Sequence, residues 1–144
     1  MKVFDSTQFV NLSTYSACRN LEGEIVTVLD SMHDARGLKL ISSYSRALPR
    51  NSIHELIATE EGMKRPGDEV NVIAYLGFFE VTQGSCLLVG EKLTIGGIYV
   101  GRILGFDVAH EPNHMNIVIG VEKRKTGREL SLKVGLKVIF EKSE

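Results

Sequence analysis

The sequence predicts an all-β, antiparallel, barrel-like domain with glycine-rich turns and at most one or two short helices. Three observations carry that expectation. Short apolar segments rich in β-branched and aromatic residues alternate with glycine-bearing turns along most of the chain. One pattern, G-x-x-[VL]-x-[VIF], recurs at Gly67, Gly90 and Gly135, where the glycine supplies a turn and the alternating apolar positions supply a strand's inward face. The second half carries no sustained apolar stripe of helical period.

Composition bounds the rest. With 144 residues, 43% hydrophobic, 24% charged and a net charge of -1, the chain has the profile of one soluble globular domain. A chain of this length buries about 68–70% of its unfolded surface, enough for one core without disulfides or structural metal. Near-neutral charge argues against a whole-surface footprint for nucleic acid or anionic membrane, so neither partner is expected. Cys18 and Cys86 stand far apart without metal-ligand or dithiol spacing, which suits a reducing cytoplasm. The N-terminal segment lacks the apolar core of a secretory signal, and the longest apolar run, residues 72–79, is too short to span a bilayer as a helix.

In order along the chain, residues 1–22 form an N-terminal arm and residues 23–144 the domain. Ile25, Val26, Val28 and Leu29, then Leu38, Leu40 and Ile41, read as a hairpin around a decorated loop at residues 32–37. Residues 53–59 fit a strand, although Ser52 and Glu55 also fit a helix capping box. The run 70–81 can pair back on them, and Tyr75, Phe78 and Phe79 read as barrel packing. Further strands are expected at 86–89, 92–95, 98–106, 115–121, 129–134 and 136–140, with Cys86 in the core. Gly96, Gly97 and Gly101 read as bends or bulges.

The phrase LVGEKLTIGGIYVGRILGFD at residues 88–107 resembles the strand-turn-strand of barrel domains in translation elongation factors. Three longer phrases, at residues 33–57, 72–81 and 105–120, together resemble a prokaryotic family of single-domain proteins with no assigned activity. That resemblance implies no function. It marks residues 33–56 and 105–117 as the segments where family identity is written.

All four histidines, His33, His54, His110 and His114, lie in those segments, and three are followed by a carboxylate: Asp34, Glu55 and Glu111. Imidazole titrates near neutrality and ligates metals. The alternative is four loop histidines bonded to their neighbours. Pro112 argues against a helix carrying His110 and His114, whereas Glu111-Pro-Asn-His114 suits a β-turn that gathers His110, His114 and Glu111, with Asp107 leading in. That set is a candidate divalent-metal site, with a further ligand from His33 or His54.

A second cluster is basic and hydroxylic: Arg36, Lys39, Ser42, Ser43, Tyr44, Ser45, Arg46 and Arg50. Arginine forks bind carboxylate or phosphate, so this stretch suits an anionic metabolite; the alternative is a solvated surface whose arginines pair with Asp34 or Glu55. The basic run at residues 123–128 lacks an aromatic platform and is flanked by Glu122 and Glu129, so it reads as an exposed edge that discourages aggregation. Nucleophile-elbow, P-loop and dinucleotide fingerprints are missing.

The functional expectation is a small-molecule binding domain for an anionic metabolite, with His33, Asp34, Arg36, Tyr44, Arg46 and His54 around the ligand. Metal assistance through His110, His114, Asp107 and Glu111 is left open, with Asp34 and Asp107 orienting imidazoles. One alternative is a metal-dependent hydrolase, isomerase or lyase using the same histidines. Another is an assembly subunit whose arm docks through Phe4, Phe9 and Val10. Homo-oligomerisation is open.

Overall fold

A computed structural model describes residues 19–62 and 64–142. Phe4, Phe9, Val10 and Cys18, and with them most of the expected arm, lie outside the described residues; Leu21 and Glu22 already belong to the first strand. The described chain is all β, without a helix. None of its helices is therefore long and apolar enough to cross a membrane.

Among the described residues twelve strands form in chain order: β1 (Leu21–Val28), β2 (Met32–His33), β3 (Leu38–Lys39), β4 (Ser45–Leu48), β5 (Ile53–Thr59), β6 (Glu69–Val70), β7 (Ile73–Gln83), β8 (Ser85–Leu88), β9 (Lys92–Ile95), β10 (Ile98–Asp107), β11 (Asn116–Gly120) and β12 (Lys137–Glu141). Eight of them make one mostly antiparallel sheet in the order β1-β12-β9-β10-β11-β5-β7-β2. The sheet curls so that β7 also pairs with β1, which makes the arrangement barrel-like. Among the described residues the one parallel ladder is β11 on β5. Two short ribbons, β3–β6 and β4–β8, lie apart from the large sheet.

The recurring glycine pattern does the work expected of it. Gly67, Gly90 and Gly135 have φ of 95°, 98° and 96° and sit just ahead of β6, β9 and β12. A side chain at that φ is strained, so glycine turns the chain into each strand. Gly101 marks a bulge against β9, and its missing side chain leaves room for the Gly120 carbonyl.

Four local expectations are corrected. The hairpin between residues 25–29 and 38–41 does not form, because β1 pairs with β7 and β12 while β3 pairs with β6. The strand expected at 129–134 is instead a set of turns. Thr126 and Glu129 exchange backbone-to-side-chain hydrogen bonds of 2.9 and 3.1 Å, a T-x-x-E capping box that starts a helical turn closed by Leu130 N–H on Thr126 O. The basic run is not simply an exposed edge either. Arg124 donates to the carbonyls of His33 and Ile73 and to Asp34, Thr126 is buried, and Gly127 is packed where any side chain would strike the Leu76 carbonyl. Cys86 is half-buried rather than in the core.

Burial explains how the sheet presents two different faces. Leu56 and Ala58 of β5, with Ile117 and Ile119 of β11, point into the main core alongside Phe79, Phe106 and Phe140. Strand residues alternate faces. Ile57 and Val118 therefore point outward, where the β3–β6 ribbon covers them with Leu38, Leu40 and Val70 to make a second, smaller core with Ile73. Each such buried aliphatic side chain stabilises by roughly 1.5–3 kcal/mol. Gly105 lets Leu40 close on the sheet: a Cβ there would meet Leu40 at 3.0 Å. Backbone bonds fix the cover, from Ile41 N–H to Phe106 O and from Arg36 N–H to Asn71 O.

Candidate functional site

The outer face that carries Ile57 and Val118 also carries Glu55 and Asn116, which face each other in the parallel ladder. Both are buried, at 7% and 1% exposure. Beyond them the chain between β10 and β11 makes a tight turn in which the amides of Asn113 and His114 both donate to His110 O. The turn is set one residue earlier than the sequence suggests. It stacks the rings of His110 and His114 with centroids 5.1 Å apart and sets Phe78 edge-on against His114 at 5.0 Å.

Hydrogen bonds assign the imidazole protons. His114 Nδ1 lies 2.7 Å from Asn113 Oδ1, an acceptor, so Nδ1 carries the proton and Nε2 offers a lone pair. That Nε2 is buried, has no aligned hydrogen-bond partner, and lies 3.4 Å from Glu55 Oε1. His54 is also fixed: Met115 N–H donates to its Nδ1, so Nε2 carries the proton towards Ser52 Oγ at 3.0 Å. Arg36 enters from the loop before β3. Its Nε–H donates to Tyr75 Oη at 2.9 Å, and its Nη2 lies 3.4 Å from His110 Nε2. Contacts thus run without a break from His33, edge-on to Tyr75 at 5.6 Å, through Arg36, His110 and His114 to Glu55.

The electrostatics follow from burial. Loss of water pushes the Glu55 carboxyl up to about 7, against the opposing pull of the Arg36 charge. Burial also lowers His114, helped by neighbouring His110 and opposed by the Asn116 side chain. His54 is lowered by burial too; Glu111 opposes this, and His114 and Arg46 add to it. Burial thus disfavours the charged form of both partners: a carboxyl that keeps its proton up to about 7 faces an imidazole whose protonation is disfavoured.

The two histidine-bearing segments therefore meet, at Arg36 on His110 and at Arg46 on Glu111, the latter an ion pair of 2.6 Å. Several expected roles change. Arg46 and Glu111 neutralise each other at the rim. Asp34 pairs with Arg124 at 2.7 Å and orients no imidazole. Asp107 is buried and accepts from Lys39 N–H, Ala109 N–H and the Asn116 amide, so it fixes Asn116 rather than a histidine. Tyr44 is exposed, and its carbonyl accepts the Val89 amide beside the β4–β8 ribbon. Among the described residues no group of three or more histidine, cysteine or carboxylate side chains is arranged to hold a metal ion. The proposed set fails to converge because Asp107 and Glu111 are drawn to their own partners.

Four residues of the cluster fall outside the expected site: Glu55, Tyr75, Phe78 and Asn116. Glu55 and Asn116 were detectable in principle, since each puts a polar side chain inside an otherwise apolar strand. Tyr75 and Phe78 look like packing until the fold turns them outward. Cavities of about 690 Å³ around Leu76, Tyr99 and Lys125 and of about 620 Å³ around Pro49 and Gln83 lie elsewhere and include neither Glu55 nor His114. Side-chain exposures of 9% and 13% at Glu55 and His114 leave little of either side chain in contact with solvent.

Comparison with known proteins finds one match. The model of a family described as "Family of unknown function (DUF6917)" matches residues 15–141. No curated protein and no solved structure matches, so the likeness of residues 88–107 to elongation-factor barrels gains no support.

The raised Glu55 carboxyl makes stability depend on pH. Between its ordinary 4.5 and about 7 the folded state holds a proton that the unfolded state has released, so Glu55's contribution falls as pH rises through that window and stays low above it. Glu55→Gln, neutral throughout, is expected to raise the unfolding free energy at pH 8 by on the order of 2–3 kcal/mol and to change little near pH 4.5. Denaturant titrations at pH 5 and pH 8 check this; equal stabilities at pH 8 contradict it. The lowered His54 and His114 act oppositely, losing stability as pH falls below 6.5.

Proposed function

Because the chain belongs to this family of unknown function, DUF6917, the site itself must supply the reading, and we propose that the protein binds a small organic anion anchored on Arg36. One observation carries it: among the described residues, half-buried Arg36 hydrogen-bonds Tyr75 Oη and His110 Nε2 and no carboxylate, whereas nearby Arg46 and Arg124 are taken by Glu111 and Asp34. A guanidinium partly withdrawn from water and lacking a carboxylate gains most from an incoming one. Glu55, which burial keeps protonated up to about 7, adds no competing negative charge below that pH. The basic run at 123–128 offers little to nucleic acid, since Arg124 and Arg128 pair with Asp34 and Asp30. The free thiol of Cys86 suits a reducing cytoplasmic setting.

An anion seated beside Glu55 disfavours the ionised carboxylate further, so binding takes up a proton and weakens as pH rises through about 7. Thermal-shift titrations with short carboxylates and inorganic phosphate check this. At 100 times its dissociation constant a ligand adds about 2.7 kcal/mol, a rise in midpoint of roughly 5–10 °C for a domain of this size. The rise is expected to be larger at pH 6 than at pH 8 and absent in Arg36→Gln. Silence across the panel, or a response that survives Arg36→Gln, contradicts the assignment.

A specific observation also favours catalysis as a second reading. Glu55, titrating near 7 against the lone pair of His114, is what a general acid–base needs at neutral pH. In that reading the ionised form of Glu55 takes the proton from a carbon beside the ligand's carbonyl, the C–H electron pair becomes the C=C bond of an enolate as the C=O π pair moves to oxygen, and return of a proton to that carbon restores the ketone with its hydrogen exchanged. Incubation with pyruvate and with 2-oxoglutarate in D2O is then expected to place deuterium at that carbon, and Glu55→Gln to stop it. Wild-type rates equal to the buffer's remove the catalytic reading.

A further inference from the structure

The same three ladders that hold Glu55 and Asn116 have a second end. Gly120 of β11 faces Arg102 of β10 and Thr59 of β5, four residues along from Asn116 and Glu55 and so about 13 Å away. A cavity of about 690 Å³ opens there, within the size range of small-molecule sites. Its apolar walls are Val100, Leu104, Val121, Leu130 and Tyr99, the last two exposed. Gly120 makes room for one of them, since a Cβ there would meet Leu104 at 3.0 Å. Among the described residues that border the cavity there is neither Arg36 nor a histidine, so it is separate from the site already described.

The charges around this cavity are unbalanced. Arg102, Lys123 and Lys125 border it with a single carboxylate, Glu122. Arg102 gives an Nη1 proton to the Gly90 carbonyl at 2.9 Å, a neutral partner that leaves the charge unmatched. Among the described residues Lys123 and Lys125 have no acid partner, whereas Arg124 between them turns away to Asp34. An apolar hollow by itself suits any oily ligand, and exposed lysines by themselves suit any anion. Joined at one opening, they fit a molecule that carries an apolar chain and a negative head.

We propose that this cavity binds a single-chain amphiphilic carboxylate, a fatty-acid-like anion, with its chain against Leu104, Val121 and Leu130 and its head among Lys123, Lys125 and Arg102. Burial of the chain supplies most of the affinity, because ion pairs at exposed lysines are weak and screened. The cations decide which head enters. This site does not rest on the anion reading at Arg36.

Titration of nitrogen-15-labelled protein at pH 7 with butyrate, hexanoate and octanoate, read at the amides of Gly101, Gly120, Lys125 and Leu130, tests the site where it lies. Each buried CH2 multiplies affinity by about fourfold, so a tenfold or larger gain is expected for every two carbons added. Octanoate is expected to bind at least threefold more tightly than 1-octanol, and octylammonium more weakly than either. Lys123→Glu combined with Lys125→Glu, both exposed positions, is expected to remove the preference for octanoate over octanol while octanol still binds. The wild-type series decides even where that variant does not fold. Absence of octanoate binding, affinity that does not grow with chain length, or equal affinity for all three head groups overturns the proposal. So do octanoate shifts confined to Arg36 and residues 110–116, which assign the carboxylate to the other site.

Discussion

The parallel pairing of β11 with β5 is the constraint on which the rest of the site depends. It sets Glu55 opposite Asn116 on an outer face that the β3–β6 ribbon then covers. A carboxyl in that position cannot keep its charge cheaply, and burial moves its titration into the neutral range. Because β11 starts at Asn116, the turn that precedes it delivers His110 and His114 directly above the buried acid. One ladder thus fixes an acid, an amide and two imidazoles relative to one another. Glu55 and Asn116 sit on strands, which hold geometry better than loops, and the two imidazoles come from the turn that leads into this ladder.

The second small core connects stability to that geometry. Leu38, Leu40 and Val70 clamp the ribbon onto Ile57, Ile73 and Val118, and Arg36 stands immediately before the clamped segment. Gly37, with φ of 71° and its amide on Asn71 Oδ1, turns the chain between them. Hydrophobic contact therefore places the guanidinium, and Tyr75 from β7 aims it. Arg46 and Glu111, half-exposed and paired, close the rim without adding net charge. The arrangement concentrates one available positive charge beside neutral partners, in a setting less polar than water, where that charge acts more strongly.

Much of the fold was legible in the sequence because local chemistry dictated it. Residues 53–59 form the expected strand, and Gly67, Gly90 and Gly135 take the turning conformation that their shared pattern implied. Strand partners were not legible. Alternation in residues 25–29 and 38–41 says that each is half-buried, but the same alternation fits any ladder, and long-range pairing put them on different sheets. The capping box at Thr126 and Glu129 was written in the sequence and overrode the apolar spacing of 129–134. At the site, the histidines and Arg36 announced themselves by residue type. Glu55 and Asn116 did so only by interrupting apolar strands, and Asp107 looked like a ligand when its oxygens belong to backbone amides and Asn116.

The account stands or falls on a buried, proton-holding Glu55 at a ligand site. Carbon-13 NMR of protein labelled at the glutamate side-chain carboxyl, assigned with Glu55→Gln and titrated from pH 3 to pH 9, reads that property directly. The expected result is a Glu55 midpoint near 7 that moves higher when glycolate is added. A midpoint near 4.5, unmoved by any added anion, would contradict it.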